Sequence, residues 1–361
     1  MRQRIGLVVL IVLLIFIINA FLNPIPKRDK VEGNYPNYGT SYSFEQASWY
    51  GLDAQRAYID LISNYNFDWI RIPFFWNQMI DEKGALQIDD LKFAVEEAEK
   101  RNVKVIIALG AKTPYYPEFH LPDSLSSQLG KGEEINIDSP IAEQILEIDR
   151  KLIEELRGYE NISYWQIENE PFTPNENGWT LSENLIREEI KVVRDADSVN
   201  RPIILSHVGP AVFDLRFQKL LKLLEPGDVL GVNAYFKTQA PNLINLNIFG
   251  NQLAVPWPRG FFWPVQSWGF FSPNFEGIGN TASKSGVDVW VMELQAEPYV
   301  RNLEEARRRE FSFNANDIKA ANDYISSKNV ETIGLWGAPF WLYRESIDDS
   351  GWVEMVKSIV N

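Results

Sequence analysis

The chain has 361 residues, no cysteine, two histidines and a formal net charge of −14. The acidic balance argues against nucleic acid or an anionic membrane surface as a partner, because both would repel the chain at long range. The absence of cysteine excludes disulfides, thiolate metal sites and a cysteine nucleophile, and two histidines supply few ligands for histidine-rich metal chemistry.

The N-terminus carries a long apolar run. Residues 5–22 are apolar except for Asn19, and they follow Arg2 and Arg4. The run is longer than a usual signal core, and Ala20 is the one small residue where a cleavage site usually has two. We therefore predict an N-terminal transmembrane or signal helix and favour an uncleaved anchor over a cleaved export signal.

A short linker and one large domain follow this run. Prolines, charges and Gly33 mark residues 24–36 as a linker. We assign the anchor and the start of the linker to 1–30 and a single domain to 31–361. About 330 residues exceed the ~250 typical of a (β/α)8 barrel and suit one domain with long loops.

From Tyr38 onward, short β-branched and aromatic runs alternate with amphipathic segments. This alternation is typical of repeated βα units around a parallel sheet. Ser139 followed by Pro140, for example, predicts a helix start with a cap and a first-turn proline. Eight predicted strands indicate an α/β fold, a (β/α)8 TIM barrel; they lie near 38–43, 68–73, 103–109, 162–168, 202–206, 228–234, 287–293 and 331–336.

A long aromatic insertion, roughly 236–284, separates the sixth and seventh predicted strands, and no helix is evident in it from the sequence. It contains Trp257, Trp263 and Trp268, and it can roof a cleft, dock on the membrane or simply pack on the barrel. Other aromatic residues are candidates for sugar-stacking platforms, with ordinary packing an equally good explanation; these are Trp76, Tyr115, Tyr116, Phe340 and Trp341.

Two apolar strands end in glutamates. The segment YWQIENEP ends with Glu168, Asn169 and Glu170, and VDVWVMELQAEP contains Glu293 where its strand ends. Active sites of (β/α)8 barrels lie at the C-terminal ends of the strands. Glycoside hydrolysis with retention needs two carboxyl groups about 5 to 5.5 Å apart, one to attack the anomeric carbon and one to protonate the leaving oxygen. Two carboxyls and water suffice for this reaction, so no cofactor is implied.

The motif NEP, with a glutamate closing a strand three units later, resembles the clan of retaining (β/α)8 glycosidases that includes cellulases, mannanases and β-galactosidases. The resemblance covers nearly the whole chain after the linker. It implies that Glu170 is the acid/base and Glu293 the nucleophile, and that Asn169 hydrogen-bonds the substrate 2-hydroxyl.

Three further segments resemble strands of the same clan. WIRIPFFW resembles the second strand, whose arginine, here Arg71, stabilises the nucleophile. GVNAYF resembles the sixth strand, whose tyrosine, here Tyr235, donates to the nucleophile. GLWGAPFW resembles the eighth strand, whose tryptophan, here Trp336, floors the subsite of the cleaved sugar.

Some positions depart from the clan pattern. Leu294 and Gln295 replace the asparagine-glycine or glycine that commonly follows the nucleophile, and Glu297 offers a rival carboxylate. We favour Glu293 because it ends the strand. By strand alternation Glu168 is expected on the same face as Glu170, deeper in the barrel and supporting the site. His207 is the nearest candidate for a histidine found near strand five or six of cellulase-like members.

These observations predict an enzyme that hydrolyses a β-linked poly- or oligosaccharide, attached to the membrane through its N-terminal helix. The domain is expected outside the cytoplasm, where such an enzyme meets its polymer, with secretion after signal cleavage as the alternative. Two other functions stay open. One is a glycan-binding barrel that has lost turnover, and the other is a metal-dependent hydrolase with Glu168, Glu170 and His207 as ligands.

Overall fold

A computed structural model describes residues 11, 36–81, 83–209, 215–239, 244–248, 251–255, 262–263, 274–308 and 313–361. The apolar run at 5–22 lies outside these residues apart from Ile11, so the predicted anchor stays a prediction. No helix within the described residues is long and apolar enough to span a bilayer.

Eight parallel strands close into a barrel in which each strand pairs with its neighbours in chain order and the last pairs with the first. The structure thus confirms the (β/α)8 fold, and each predicted strand lies within two residues of an observed one. The strands are β1 Asn37–Ser41, β2 Trp69–Pro73, β3 Lys104–Leu109, β4 Ile162–Ile167, β5 Ile203–Val208, β6 Val229–Ala234, β7 Asp288–Gln295 and β8 Thr332–Trp336.

Helices surround the barrel and bury their apolar faces against it. The predicted start at Ser139 is confirmed, since its hydroxyl accepts from the Ala142 amide and Pro140 opens the helix. The described helices are α1 Phe44–Trp49, α2 Ala54–Asn64, α3 Trp76–Met79, α4 Asp89–Glu99, α5 Asp123–Ser126, α6 Pro140–Leu156, α7 Glu183–Ala196, α8 Leu215–Leu221, α9 Phe275–Ser283, α10 Leu303–Ala306, α11 Ala315–Ser326, α12 Ala338–Ser346 and α13 Gly351–Val360.

The segment between β6 and β7 contains a helix that the sequence pattern did not reveal. Helix α9 is capped by Asn274 and buries Phe275, Ile278 and Ala282. Its glycines and small polar residues obscured the apolar periodicity, which explains the missed prediction. Ahead of it, 244–248 pairs antiparallel with 251–255, and 238–239 pairs with 262–263. Trp257 and Trp268 lie outside the described residues, so the role of the insertion stays open.

Large side chains fill the N-terminal half of the barrel interior, which we call the floor. Trp69 stacks on Trp290 with ring centroids 6.2 Å apart, and Met292 packs in the same cluster. Glycine makes room for the Trp69 indole, because a Cβ on Gly39 would lie 2.0 Å from Trp69 Cδ2. A Cβ on Gly334 would likewise lie 2.6 Å from Trp69 Cη2. The barrel is a packed core at this end.

Candidate active site

Polar side chains line the C-terminal half of the interior, which we call the mouth, and on five strands they lie two residues beyond the floor position. Side chains of a strand alternate between faces, so a position two residues on points the same way. Arg71 therefore lies above Trp69, and Asn233 above Gly231. The buried polar members of this layer are Ser41, Arg71, Gln166, Ser206, Asn233 and Glu293.

Arg71 and Tyr235 both contact the Glu293 carboxylate, one on each oxygen. Arg71 Nη2 donates to Glu293 Oε1 at 2.7 Å, and the Tyr235 hydroxyl donates to Oε2 at 2.6 Å. Arg71 is fully buried and its other nitrogens bind Ser41 Oγ at 2.8 Å and Gln166 Oε1 at 3.0 Å. Glu293 thus accepts one charge-assisted hydrogen bond and one from a phenol, and these bonds fix the orientation of its carboxyl group. The structure thus brings together three residues that the sequence predicted for one site.

An irregularity in β7 aims Glu293 into the mouth. Val291 pairs with Val232, but the next paired residues are Glu293 and Asn233, so Met292 is extra in the register. A bulge of this kind re-aims the following side chain, and bulges are common beside active sites. Here it allows Met292 to fill the floor while Glu293, its direct neighbour in the chain, still points inward.

Glu170 and Glu293 lie on opposite sides of Asn233. Asn233 Nδ2 donates to Glu170 Oε1 at 2.6 Å, and Asn233 is the register partner of Glu293. Burial raises the pKa of Glu170 to about 7; the Lys112 ammonium lowers this pKa and the Glu293 charge raises it. The two carboxyl groups therefore share a neighbour but differ in their surroundings, which is the condition for one acid and one anion in the same cleft.

The NEP turn does not continue the strand as the sequence pattern suggested. Strand β4 ends at Ile167, and Glu168 and Glu170 both have left-handed backbones, with φ of 55° and 50°. The alternation argument that put them on one face is therefore wrong. Glu168 turns toward β3, where its carboxyl accepts from the Ala111 amide at 2.8 Å and the Lys112 amide at 2.5 Å.

A hydrogen-bond network runs from the Glu293 carboxyl through the interior of the mouth to the backbone amide of Glu170. Gln166, held by Arg71, donates from Nε2 to Asn169 Oδ1 at 3.2 Å. Ser206 Oγ also donates to Asn169 Oδ1, at 3.1 Å, and accepts from the Glu170 amide at 3.1 Å. Because the Asn169 oxygen is engaged inward, its amide N–H groups are the ones turned to the cleft.

Lys112 is a buried member of the site that sequence reasoning missed. Its ammonium donates to the carbonyl oxygens of Glu170 at 2.9 Å and Thr173 at 2.7 Å, and lies 3.2 Å from the Glu118 carboxylate. A lysine in a loop after β3 carries no local signal of burial. Its hydrogen-bond acceptors, the Glu170 and Thr173 carbonyls, come from the next loop, so tertiary contacts alone reveal its position.

Trp336 lies at the mouth as predicted. The Arg71 guanidinium is 5.7 Å from its ring centroid, and the Tyr115 ring is 4.4 Å away. Of the other candidate platforms, Phe340 and Trp341 are fully buried and pack in the core, so the packing explanation holds for them. Tyr115 is the candidate that the structure brings to the site.

Gln295, the last residue of β7, is one of the residues by which this chain departs from the clan pattern. Its side-chain oxygen accepts from the amides of Phe236 and Lys237 at 3.0 and 2.9 Å, and its nitrogen donates to the Lys237 and Glu297 carbonyls at 2.9 and 3.3 Å. The side chain thereby ties the loop after β6, which carries Tyr235, to the loop after β7. Arg71 and Tyr235 donate to Glu293 and not to the rival carboxyl Glu297.

Behind the mouth, three buried carboxyl groups meet. Asp149 of α6, Glu168 and Glu189 of α7 are buried, and the carboxyl oxygens of Asp149 and Glu189 accept no hydrogen bond from the described residues. Burial raises the pKa of all three, that of Glu168 to about 7. Burial without donors favours the protonated form of a carboxyl, so this cluster is suited to retain protons.

The proposed metal ligands are not brought together. Glu168 faces two amides, Glu170 faces Asn233, and His207 Nδ1 contacts the Val208 carbonyl. Within the described residues, no three His, Cys, Asp or Glu side chains form a group able to hold a metal ion. The alternative of a metal site with Glu168, Glu170 and His207 as ligands is therefore wrong.

Solved structures with the same architecture are glycoside hydrolases. GH5_18 from Streptomyces cattleya in complex with GlcNAc is 16% identical with a TM-score of 0.55, covering 84% of this chain and 70% of that chain. A variant of that enzyme with Manβ1-4GlcNAc is 15% identical, with a TM-score of 0.54 and coverages of 83% and 70%. The hyperthermostable endo-1,4-β-D-mannanase from Thermotoga petrophila RKU-1 is 13% identical, with a TM-score of 0.55 and coverages of 84% and 88%. At such identities the likeness shows the fold alone.

Among curated proteins, none matches the chain. A family model does: residues 29–226, more than half of the chain, match the model described as cellulase (glycosyl hydrolase family 5). The matched range contains Arg71, Asn169 and Glu170, whereas Tyr235, Glu293 and Trp336 lie beyond it and join the site through the closed barrel. By its sequence match and its barrel, this chain belongs to the cellulase family, glycosyl hydrolase family 5.

Proposed function

We propose that the chain is a retaining glycoside hydrolase that cleaves a β-linked glycan by double displacement, with Glu293 as nucleophile and Glu170 as acid/base. The observation that carries this proposal is the unequal setting of the two carboxyl groups on either side of Asn233. Arg71 and Tyr235 each donate to one oxygen of Glu293, while burial raises the pKa of Glu170 to about 7. An ionised nucleophile beside a protonated acid is the starting state that retention requires.

In the first step, a lone pair of the Glu293 carboxylate forms a bond to the anomeric carbon. The glycosidic C–O bond breaks, its electron pair moves to the leaving oxygen, and that oxygen takes the Glu170 proton. Lys112 and Asn233 then stabilise the new Glu170 carboxylate, since both lower its pKa. Asn169 is suited to bind the 2-hydroxyl with its free amide hydrogens, and Trp336 to support the sugar ring.

In the second step, Glu170 acts as the base. Its carboxylate takes a proton from water, the water oxygen bonds to the anomeric carbon, and the electron pair of the ester bond returns to Glu293. Two inversions restore the original configuration. Arg71 and Tyr235 again stabilise the charge that reappears on Glu293.

Hydrolysis of a substrate panel by the full chain in mild detergent tests the proposal. Aryl β-glycosides, β-glucan, β-mannan and galactan are suitable, since mannan is named for one structural relative. We expect Glu170→Gln and Glu293→Gln each to lower kcat at least ~10³-fold while the fold survives. Glu160→Gln, an exposed carboxyl, is the control.

The configuration of the first product, followed by NMR, distinguishes mechanisms. A β-anomer released from a β-glycoside supports double displacement, and an α-anomer would overturn it. Binding of a glycan without turnover, unaffected by either glutamine variant, would instead identify a glycan-binding barrel.

For localisation, we propose a membrane-anchored protein with its catalytic domain at 31–361 outside the cytoplasm, secretion after cleavage being the alternative. The support is the apolar run at 5–22 with basic residues on both sides. Membrane fractionation tests it. The full chain should resist extraction from membranes by alkaline carbonate, and release of a shortened, mature chain into the medium would establish secretion.

A further inference from the structure

Glu297 is a carboxyl at the mouth that the double displacement does not use. It lies two residues beyond the end of β7 and is partly exposed. Its chain neighbour Ala296 donates its amide to the Trp336 carbonyl at 3.0 Å, so the loop that carries Glu297 runs beside Trp336. Burial raises the pKa of the Glu297 carboxyl to about 8.

The backbone around Glu297 is fixed from two sides. Gln295 Nε2 donates to the Glu297 carbonyl at 3.3 Å, and Trp341 Nε1 donates to the Ala296 carbonyl at 2.7 Å. Gly337, with φ of 134°, lets the side chain approach, because a Cβ there would lie 2.7 Å from Glu297 Cβ. A side chain on a loose loop would not be constrained in this way. The arrangement holds the carboxyl at one place.

Tyr115 approaches the same ring from the loop after β3. Its φ of 81° is a left-handed conformation that an aromatic residue rarely adopts. The ring lies 4.4 Å from Trp336, and the buried hydroxyl has no hydrogen-bond partner within the described residues. Strain of this kind persists where the surroundings enforce it, and it clusters at ligand sites. An unpaired buried hydroxyl beside the cleft is a donor and acceptor ready for a ligand.

We propose that Glu297 and Tyr115 bind hydroxyl groups of the sugar unit that rests on Trp336 and thereby select that sugar. The inference rests on the proposed function, which gives Trp336 its sugar. Glu293 and Arg71 occupy the side of this subsite where bond cleavage takes place. Glu297 and Tyr115 supply a second set of polar groups, and they recognise hydroxyls that take no part in the reaction.

Recognition by polar groups makes a specific prediction about substrate analogues. A site built to hydrogen-bond a hydroxyl rejects the analogue that lacks it, because its own polar groups are then left unpaired. Removing the protein partner abolishes that discrimination. The expected signature is a loss of affinity when one hydroxyl is removed from the glycan. This loss should occur when Glu297 and Tyr115 are both in place and should disappear when the residue that binds that hydroxyl is replaced.

The experiment measures glycan affinity in a Glu170→Gln background, so that binding is read without turnover. Glycans that bind this parent are compared with analogues deoxygenated at one hydroxyl at a time. We expect Glu297→Leu to weaken binding of the intact glycan about 10- to 100-fold and Tyr115→Phe about 5-fold. Each should cancel the penalty for one particular missing hydroxyl. Glu297→Gln, which retains a polar side chain able to hydrogen-bond a sugar hydroxyl, should recover part of the affinity.

Tyr159→Phe is the matched control, since the Tyr159 hydroxyl bonds Glu96 on the outside of the barrel. Unchanged affinity in Glu297→Leu, or an unchanged penalty for every missing hydroxyl, would overturn the inference even if the wild-type chain hydrolyses glycans. Loss of affinity with no wild-type turnover would retain the subsite and overturn the proposed hydrolase. Circular dichroism of each variant establishes that it is folded.

Discussion

The two ends of the barrel interior are built from opposite kinds of residue. At the floor, Trp69, Trp290 and Met292 fill the space by shape, with Gly39 and Gly334 leaving room for one indole. At the mouth, two residues further along the strands, buried charges and amides fill it by hydrogen bonds. The floor gains stability from apolar burial, whereas the mouth holds charges and left-handed backbone that cost stability. The floor and the surrounding helices offset that cost.

Arg71 gives the sharpest test of the mouth, because it binds three side chains at once. Arg71→Met should lower kcat/KM at least ~10³-fold and lower the free energy of unfolding by about 3–5 kcal/mol, since it leaves the Glu293 charge buried without its cation. Kinetics and urea unfolding measure the two effects. Arg56→Met is the control, because the Arg56–Asp60 pair is exposed and contributes under ~1 kcal/mol. Activity within tenfold of wild type would contradict the assigned support of the nucleophile.

Gly39→Ala tests the floor alone. The added Cβ would meet the Trp69 ring at 2.0 Å, and that ring is also confined at Gly334. We expect a loss of about 2–4 kcal/mol in the free energy of unfolding, with kcat of the folded protein unchanged. The control is Gly279→Ala in α9, where an added Cβ meets nothing within 4 Å. A large fall in kcat without loss of stability would show that floor and mouth are not separable.

The carboxyl cluster behind the mouth should make stability depend on pH. A carboxyl whose pKa is raised by folding contributes stability below its unfolded pKa and loses it as pH rises through its folded pKa. Folding raises the pKa of Glu168 from its usual value of 4.5 to about 7. Burial also raises the pKa of Glu189, so from pH 5 to 8 the free energy of unfolding of Glu189→Gln should rise relative to that of wild type. Urea unfolding at each pH measures this, with exposed Glu143→Gln of α6 as control. Parallel curves for Glu189→Gln and wild type would disprove proton retention in the cluster.

The smallest expected effect is a shift in the pH profile. The acid must be protonated, so kcat should fall above pH 7, where Glu170 loses its proton. Lys112→Met removes the ammonium that lowers the pKa of Glu170, so the alkaline limb should move to higher pH. Lys131→Met, at an exposed lysine, should leave it in place. An alkaline limb that moves to lower pH in Lys112→Met would contradict the assigned acid.

Much of the site could be predicted because each of its residues closes or interrupts an apolar strand. Arg71 stands inside WIRIP and Glu293 inside VWVMELQ, where a charge in a buried strand requires a partner. The alternation rule then failed at Glu168, because a left-handed turn after Ile167 reverses the side-chain direction. The spacing of residues in the sequence carries no information about φ, so the reversed direction of the Glu168 side chain could not be predicted.

The sequence by itself determined the eight strands, their order and the position of both glutamates near strand ends, because periodicity and strand ends are local properties. Tertiary structure alone decided which groups surround those glutamates. Lys112, Gln295 and Tyr115 carry no local signal, and each acts through partners on a different loop. The packing of Trp69 in the floor likewise depends on Gly39 and Gly334. The closed barrel brings these two glycines together although they are 295 positions apart in the chain. Contacts between distant segments form once the barrel closes. The closed barrel also buries Glu170, and this burial raises its pKa.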